Sequence, residues 1–321
     1  MAQRVIEPGQ IESLAQRSIP RVRLPDQRTI FARRAARLRK LAPTSPIGGY
    51  LELLALLADA QTEAATHVVD SPPDALRLQR AREHGMPPLH AANWPRPPAW
   101  QATLEWVCKP LATLSRFPRA VGEVLTRINS SGSAWRESQA DAVLESQSDS
   151  EIDVAAAPFI AAALQVHYVV AANRFELDQV QPLDAHGVCP LCGSLPVVSM
   201  VYAHSPYQGY RYLHCALCAT EWHMVRVQCS ACGAVGKDIA YHTLEGALAA
   251  NDEPRDPKVP AVRAETCDHC QRYRKILYEE QDPGVEPVAD DLGTLALDLL
   301  LNERNYHRAS DNPLLWTPRP S

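Results

Sequence analysis

The sequence has 321 residues, 46% of them hydrophobic and 21% charged, a balance that allows a sizeable core and excludes both a disordered tail and a membrane-embedded chain. Its 32 Lys and Arg against 37 Asp and Glu leave a formal net charge of −5, so no global positive field gathers phosphate backbones and nucleic acid is not an expected partner. Residues 1–20 hold no apolar run behind positive charge, and no later window reaches about 18 uncharged apolar residues; the expectation is a cytoplasmic protein without stable membrane insertion.

In chain order, Thr29 to Leu41 places Phe31, Ala35, Leu38 and Leu41 at helical spacing and stops before Pro43. Gly48 to His67 carries a broad apolar stripe from Tyr50 through Ala65, as a central core helix would. Further helices are predicted at 74–83, 100–114, 118–128 and 134–144, with the Pro-rich stretch from Pro87 to Pro98 as a long connection. Ile152 to Phe175 is the most apolar segment and reads as the buried centre of a bundle, with Pro158 tolerated in its early turns. Phe175 to Gly187 reads as an interdomain connection. Beyond the last cysteine, a strand is predicted at 274–280, one helix over 286–302, and an irregular tail from Asn305 to Ser321. The run from Arg21 to Lys40 has eight basic residues against Asp26 alone and reads as a solvated helix face. Asp290 and Asp291 suit the positive end of the last helix's dipole.

Cysteine placement divides the chain more sharply than any linker. Cys108, beside Trp106, reads as a small buried apolar residue, and the other eight cysteines fall between 189 and 270. They form four CxxC pairs: Cys189 and Cys192, Cys215 and Cys218, Cys229 and Cys232, Cys267 and Cys270. Two residues between thiolates let a tight knuckle point both sulfurs at one metal, and two knuckles complete a tetrahedral site. Eight cysteines therefore make two sites.

Gly193 and Gly233 follow the second cysteine of two knuckles, where a positive φ lets the chain leave without a Cβ clash. They mark the first knuckle of each unit. Joining 189/192 to 215/218 leaves 22 residues between knuckles, and joining 229/232 to 267/270 leaves 34, each enough for a returning hairpin. An interleaved pairing stays open. A dithiol redox site would need a βαβ context that is not evident, and a disulfide framework does not fit a cytoplasmic chain. Four thiolates suit Zn²⁺ and a single iron alike.

Four thiolates and one divalent ion sum to −2, and Arg211, Arg226, Lys237, Arg263, Arg272, Arg274 and Lys275 are placed to offset that charge. His214, His223 and His269 lie beside the knuckles, as neighbours or substitute ligands. No phosphate-binding Gly loop, nucleophile elbow or His-Glu-x-x-His motif occurs, so an enzyme is not expected.

With these residues in view, the chain resembles the FdhE family of formate dehydrogenase accessory proteins. The resemblance rests on Arg34 to Arg39 followed by Pro46 to Leu51, Ala157 to Ile160, Cys189 to Ser194, Gly209 to Cys215, Glu221 to His223, Cys229 to Cys232, Asp282 to Leu292, and Asn312 with Pro313. It implies a multidomain α+β protein: a helical domain over 1–182, rubredoxin-like or zinc-ribbon-like modules of four cysteines each over 183–226 and 227–281, and a C-terminal helix and tail over 282–321. It also implies two mononuclear metal ions, iron in first place and zinc as the alternative, held by Cys189, Cys192, Cys215, Cys218, Cys229, Cys232, Cys267 and Cys270. The implied role is maturation of formate dehydrogenase by binding its catalytic subunit before export, with no catalytic residue. A rubredoxin-like one-electron carrier and a zinc-ribbon nucleic-acid-binding protein are the alternatives.

Overall fold

A computed structural model describes residues 19–69, 73–112, 117–145, 152–185, 187–244, 246–248 and 260–316. The predicted helical periodicities become α1 (Ile30–Leu41), α2 (Gly48–His67), α3 (Ala75–Glu83), α4 (Ala99–Ala112), α5 (Arg119–Ser130), α6 (Ser133–Glu145) and α7 (Ala157–Ala172). The first helical residue of α3 follows Asp74, whose carboxylate accepts the Leu76 and Arg77 N–H groups and so satisfies donors that the first turn leaves free. Every residue of α7 is buried, and Pro158 sits in its first turn, where its missing donor costs nothing. Helices α2 and α4 pack on α7, and α1 packs along α2.

The strands are β1 (Val22–Arg23), β2 (Pro196–Val201), β3 (Arg211–Cys215), β4 (Glu221–Met224), β5 (Ile239–Thr243), β6 (Gly246–Leu248), β7 (Val262–Cys267), β8 (Arg272–Tyr278) and β9 (His307–Arg308). They form one sheet in the order β1-β4-β3-β2-β8-β7-β5-β6, with β9 also on β8. The antiparallel meander β2-β3-β4 belongs to the first cysteine unit and β5-β7-β8 to the second. A parallel pairing of β2 with β8, Ser199 opposite Ile276, joins the two units edge to edge. The N-terminal segment reaches across to close the far edge, with Val22 opposite Trp222.

Two expectations are corrected. The predicted single helix over 286–302 is two, α8 (Pro287–Gly293) and α9 (Leu295–Glu303). A Cβ at Gly293 would press on the Leu41 side chain, and the Thr294 hydroxyl donates to the Asp290 carbonyl, so the chain turns there to fit against α1. The basic run is a solvated face only in part: Arg21, Arg28, Arg33, Arg39 and Lys40 are exposed. Arg34 and Arg37 are buried and pair with Glu286 and Asp290, Arg23 pairs with Glu221, and Arg39 pairs with Asp59. These charges stitch the chain to itself. No helix among the described residues is long and apolar enough to cross a membrane.

Candidate metal centres

Each CxxC pair folds as a turn closed by the backbone. The Cys189 N–H donates to the Ser194 carbonyl and the Gly193 N–H to the Cys189 carbonyl; Cys229, Ala234 and Gly233 repeat the arrangement. The residue after the second cysteine is left-handed in all four knuckles: Gly193 (φ 77°), Ala219 (φ 56°), Gly233 (φ 79°) and Gln271 (φ 54°). Only the two glycines signal this in the sequence, since a non-glycine side chain in that region is unusual and costs energy.

The turns bring the eight thiols together as two sets, Cys189, Cys192, Cys215 and Cys218, and Cys229, Cys232, Cys267 and Cys270, with the four sulfurs of each set within 4.8 Å of one another. The hairpin pairing therefore replaces the interleaved one. Sulfur separations of 3.6 Å (Cys189 to Cys218) and 3.4 Å (Cys192 to Cys215) in the first set, and 3.7 Å for both Cys229 to Cys270 and Cys232 to Cys267, are too long for disulfides, which need about 2.05 Å. A tetrahedron with metal–sulfur bonds of about 2.3 Å puts its sulfurs about 3.8 Å apart. The donor set and its spacing fit a four-coordinate thiophilic ion. Backbone N–H groups point at the sulfurs: Leu217 and Cys218 at Cys215, each 3.4 Å, and Ala231 at Cys229, 3.4 Å.

Cys192 in the first set and Cys232 in the second, each the second cysteine of its knuckle, are drawn below the ordinary thiol range. Burial opposes ionisation of Cys192, but hydrogen bonds from Cys189, Cys215, Cys218 and Ser194 outweigh it and hold the thiol well below its ordinary range. At Cys232 burial again works against the charge, while the Ala234 N–H and the His269, Cys270 and Cys229 side chains bring it to about 6. Burial pushes Cys189, Cys218 and Cys270 upward.

The surroundings differ. The first set is wholly buried between sheet and helices. The Leu89 and Ala91 N–H groups donate to the Leu191 and Cys192 carbonyls at 2.8 and 2.9 Å, so the Pro-rich connection clamps the first knuckle. Gln165 of α7 donates to the Ala216 carbonyl at 2.7 Å, clamping the second. Gln165 is itself held by Arg34 and Gln61, both 3.1 Å away, and Arg34 continues to Glu286, whose other oxygen caps α8. An unbroken buried polar path thus runs from the start of α8 to the Cys215 knuckle. Gln165, a polar residue in a largely apolar helix, was the available sequence signal for it.

At the second set Cys232 is exposed and Cys270 half-buried. Arg211 donates to the Gln228 carbonyl at 2.9 Å, and Arg274 to the Ser230 hydroxyl at 2.7 Å. Of the other cations singled out from sequence, Arg263 lies over the Tyr278 ring, Lys275 pairs with Asp291 and Asp298, and Arg226, Lys237 and Arg272 are exposed. None of the three flanking histidines belongs to either sulfur set: His214 pairs through Nδ1 with Glu221 at 2.9 Å, His223 packs on Tyr210 and Tyr212, and the exposed His269 adjoins Cys270 in the chain. Cys108 is buried among apolar neighbours of α4, and burial pushes its thiol to about 12.

Comparison with known proteins gives a consistent result. The FdhE N-terminal family matches residues 19–185, the FdhE central domain 188–226 and the FdhE C-terminal domain 227–315. Curated relatives include the protein FdhE homolog of Pseudomonas aeruginosa (39% identical) and that of Cronobacter sakazakii (38%), and the protein FdhE of Escherichia coli K12 (36%), each over 98% of this chain and 98% of the relative. The crystal structure of the FdhE protein from Pseudomonas aeruginosa superposes with a TM-score of 0.80 at 37% identity, covering 92% of this chain and 99% of that one. The chain belongs to the FdhE family.

Proposed function

We propose that this protein is a cytoplasmic accessory factor in the maturation of formate dehydrogenase, which binds the catalytic subunit of that enzyme before export and catalyses no reaction itself. The observation that carries the reading is the pair of closed four-thiol centres within an architecture common to FdhE proteins. Because all four donors of each centre come from the chain, no coordination position is left open for a substrate, as a catalytic zinc would require. The eight cysteines hold one ion in each set, with iron favoured over zinc; such an ion supplies a rigid cross-link and, as iron, a one-electron couple.

The chain's own residues do the rest. Backbone N–H groups of Leu217, Cys218 and Ala231 spread the thiolate charge. The knuckles fix the hairpin loops, which are too small to hold a shape by apolar burial alone. We read the chain as a helical unit over 1–182, modules over 183–226 and 227–281, and a C-terminal unit over 282–321 that ties back onto α1. The test is an anaerobic pull-down of the formate dehydrogenase catalytic subunit with this protein as bait, against a Cys215→Ser, Cys218→Ser variant whose fold is checked by circular dichroism. Retention by the native bait and loss with the folded variant supports the reading. No retention by the metal-loaded native bait refutes it.

A further inference from the structure

The two cysteine sets share one spacing pattern and one knuckle geometry, yet their access to solvent differs. Cys189, Cys192, Cys215 and Cys218 are 0–1% exposed and covered on both sides, by the sheet and by the clamps from Leu89, Ala91 and Gln165. In the second set Cys229 and Cys267 are buried, but Cys232 is exposed, Cys270 is half-buried, and the intervening Asp268 and His269 are exposed. Val225 and Val235, on either side of the Cys229 knuckle in sequence, are 59% and 61% exposed. Val227, a β-branched residue held at φ 57°, sits two positions before Cys229, a conformation such side chains avoid and that persists where surrounding structure enforces it.

We propose that the two centres have different duties: the Cys189 set is a permanent part of the core, whereas the Cys229 set is an exchange site that releases and takes up its thiophilic divalent ion through the exposed Cys232. An incoming soft donor, a thiolate or an imidazole, approaches along the open side. One metal–donor bond forms as the bond to the Cys232 sulfur breaks, and Cys232 leaves as a thiolate. No electrons change hands, and the remaining three bonds pass over in the same way. At the Cys189 set the same approach requires the Pro-rich connection or α7 to lift first, a local opening that costs free energy the exposed site does not spend.

The inference rests on both sets holding an ion, and not on the identity of the protein's partner. The experiment uses the full chain loaded with Zn²⁺ and counted by native mass spectrometry. A chromogenic chelator then strips it while iodoacetamide labels each freed thiol, and peptide mapping locates the labels. Two ions are expected to leave in two phases, the first faster by roughly tenfold or more. The one-ion species is expected to carry label on Cys229, Cys232, Cys267 and Cys270 alone. Release in a single phase, or first labelling of the Cys189 set, would overturn the proposal while leaving both centres in place. Uptake of fewer than two ions would overturn the four-ligand assignment itself, and the exchange site with it. The native chain serves throughout, so no cysteine variant has to fold.

Discussion

Replacing Arg34 by Ala is the most informative single change in the helical part. Arg34 and Glu286 are 2% and 4% exposed at their side chains, and their closest contact is 3.1 Å. The substitution removes the counter-charge of a carboxylate that cannot reach water, and it strips the Gln165 side-chain oxygen of one of its two donors. Breaking one side of a buried pair costs about 3–5 kcal/mol, most of it the burden of the charge left behind. Glu286→Gln keeps an amide oxygen to accept the Val288 and Ala289 N–H groups that begin α8, but it leaves the buried Arg34 guanidinium without its counter-charge. The combination of Arg34→Ala with Glu286→Gln leaves no unpaired charge and should recover about 2 kcal/mol or more relative to the sum of the singles. Urea unfolding at saturating zinc, followed in parallel by circular dichroism and tryptophan fluorescence, measures all three. An Arg34→Ala cost below about 1 kcal/mol, or strict additivity in the double variant, would refute the claim that this pair is an uncompensated burial once broken.

Three further outcomes follow from single sites. Burial drives His167 down to about 4 from an ordinary value near 6.5, so its folded state excludes the proton that the unfolded chain accepts. Stability is therefore full above about pH 6.5 and falls as pH drops toward 4, by roughly 3 kcal/mol in all; the pH dependence of the urea midpoint should flatten in His167→Gln, which keeps a partner for Thr103. Gly193→Ala and Gly233→Ala place the same side chain at φ 77° and 79°, but the first Cβ meets the His90 ring at 3.2 Å and the second meets open space. Gly233→Ala should cost about 1–2 kcal/mol from backbone strain alone and Gly193→Ala measurably more, with equal costs in thermal unfolding counting against the clamp on the first knuckle. Gly187→Ala should also destabilise, because its Cβ would collide with the Ser230 carbonyl oxygen beside the second centre; unchanged metal retention and unfolding midpoint in that variant would contradict the contact.

Features that depend on short-range chemistry were legible in the sequence. The CxxC spacing gave the sulfur sets, Gly193 and Gly233 gave two of the four left-handed exits, and 3.6-residue periodicity gave α1 through α7 to within a few residues. What stayed hidden depends on partners far along the chain. Nothing near Arg34 or Arg37 announces that their carboxylates lie some 250 positions on, at Glu286 and Asp290. Burial of those pairs makes an internal fastening of two cations in a run that otherwise mostly faces solvent. Ala219 and Gln271 carry no mark of positive φ, because the knuckle hydrogen bonds impose it. The parallel contact of β2 with β8 unites two units that read as separate repeats, and no spacing rule predicts which edges of two small sheets will meet.

That seam gives the last expectation, because a buried cation helps to hold it. Arg274 donates to the Ser230 hydroxyl inside the Cys229 knuckle, to the Ser310 hydroxyl of the C-terminal segment at 2.7 Å, and to the Pro196 carbonyl at the start of β2. Burial, with Arg211 close by, pulls its guanidinium down to about 9, and negative charge at Glu265 and Cys229 works the other way. A four-thiolate centre around a divalent ion carries a net charge of −2, which adds counter-charge where Arg274 needs it. Loss of the ion lets the thiolates take up protons, and the cation then holds Ser230, Ser310 and Pro196 with less support. Occupancy of the solvent-facing centre should therefore be felt at the edge of the other module, by a route that needs no motion of the first centre. Hydrogen exchange measured on the two-ion and one-ion forms tests this: amides of Val197 to Val201 should exchange faster once the Cys229 set is empty, and Arg274→Met should show the faster exchange with both ions bound. Exchange in β2 that ignores the state of the second centre would break the link between occupancy and seam.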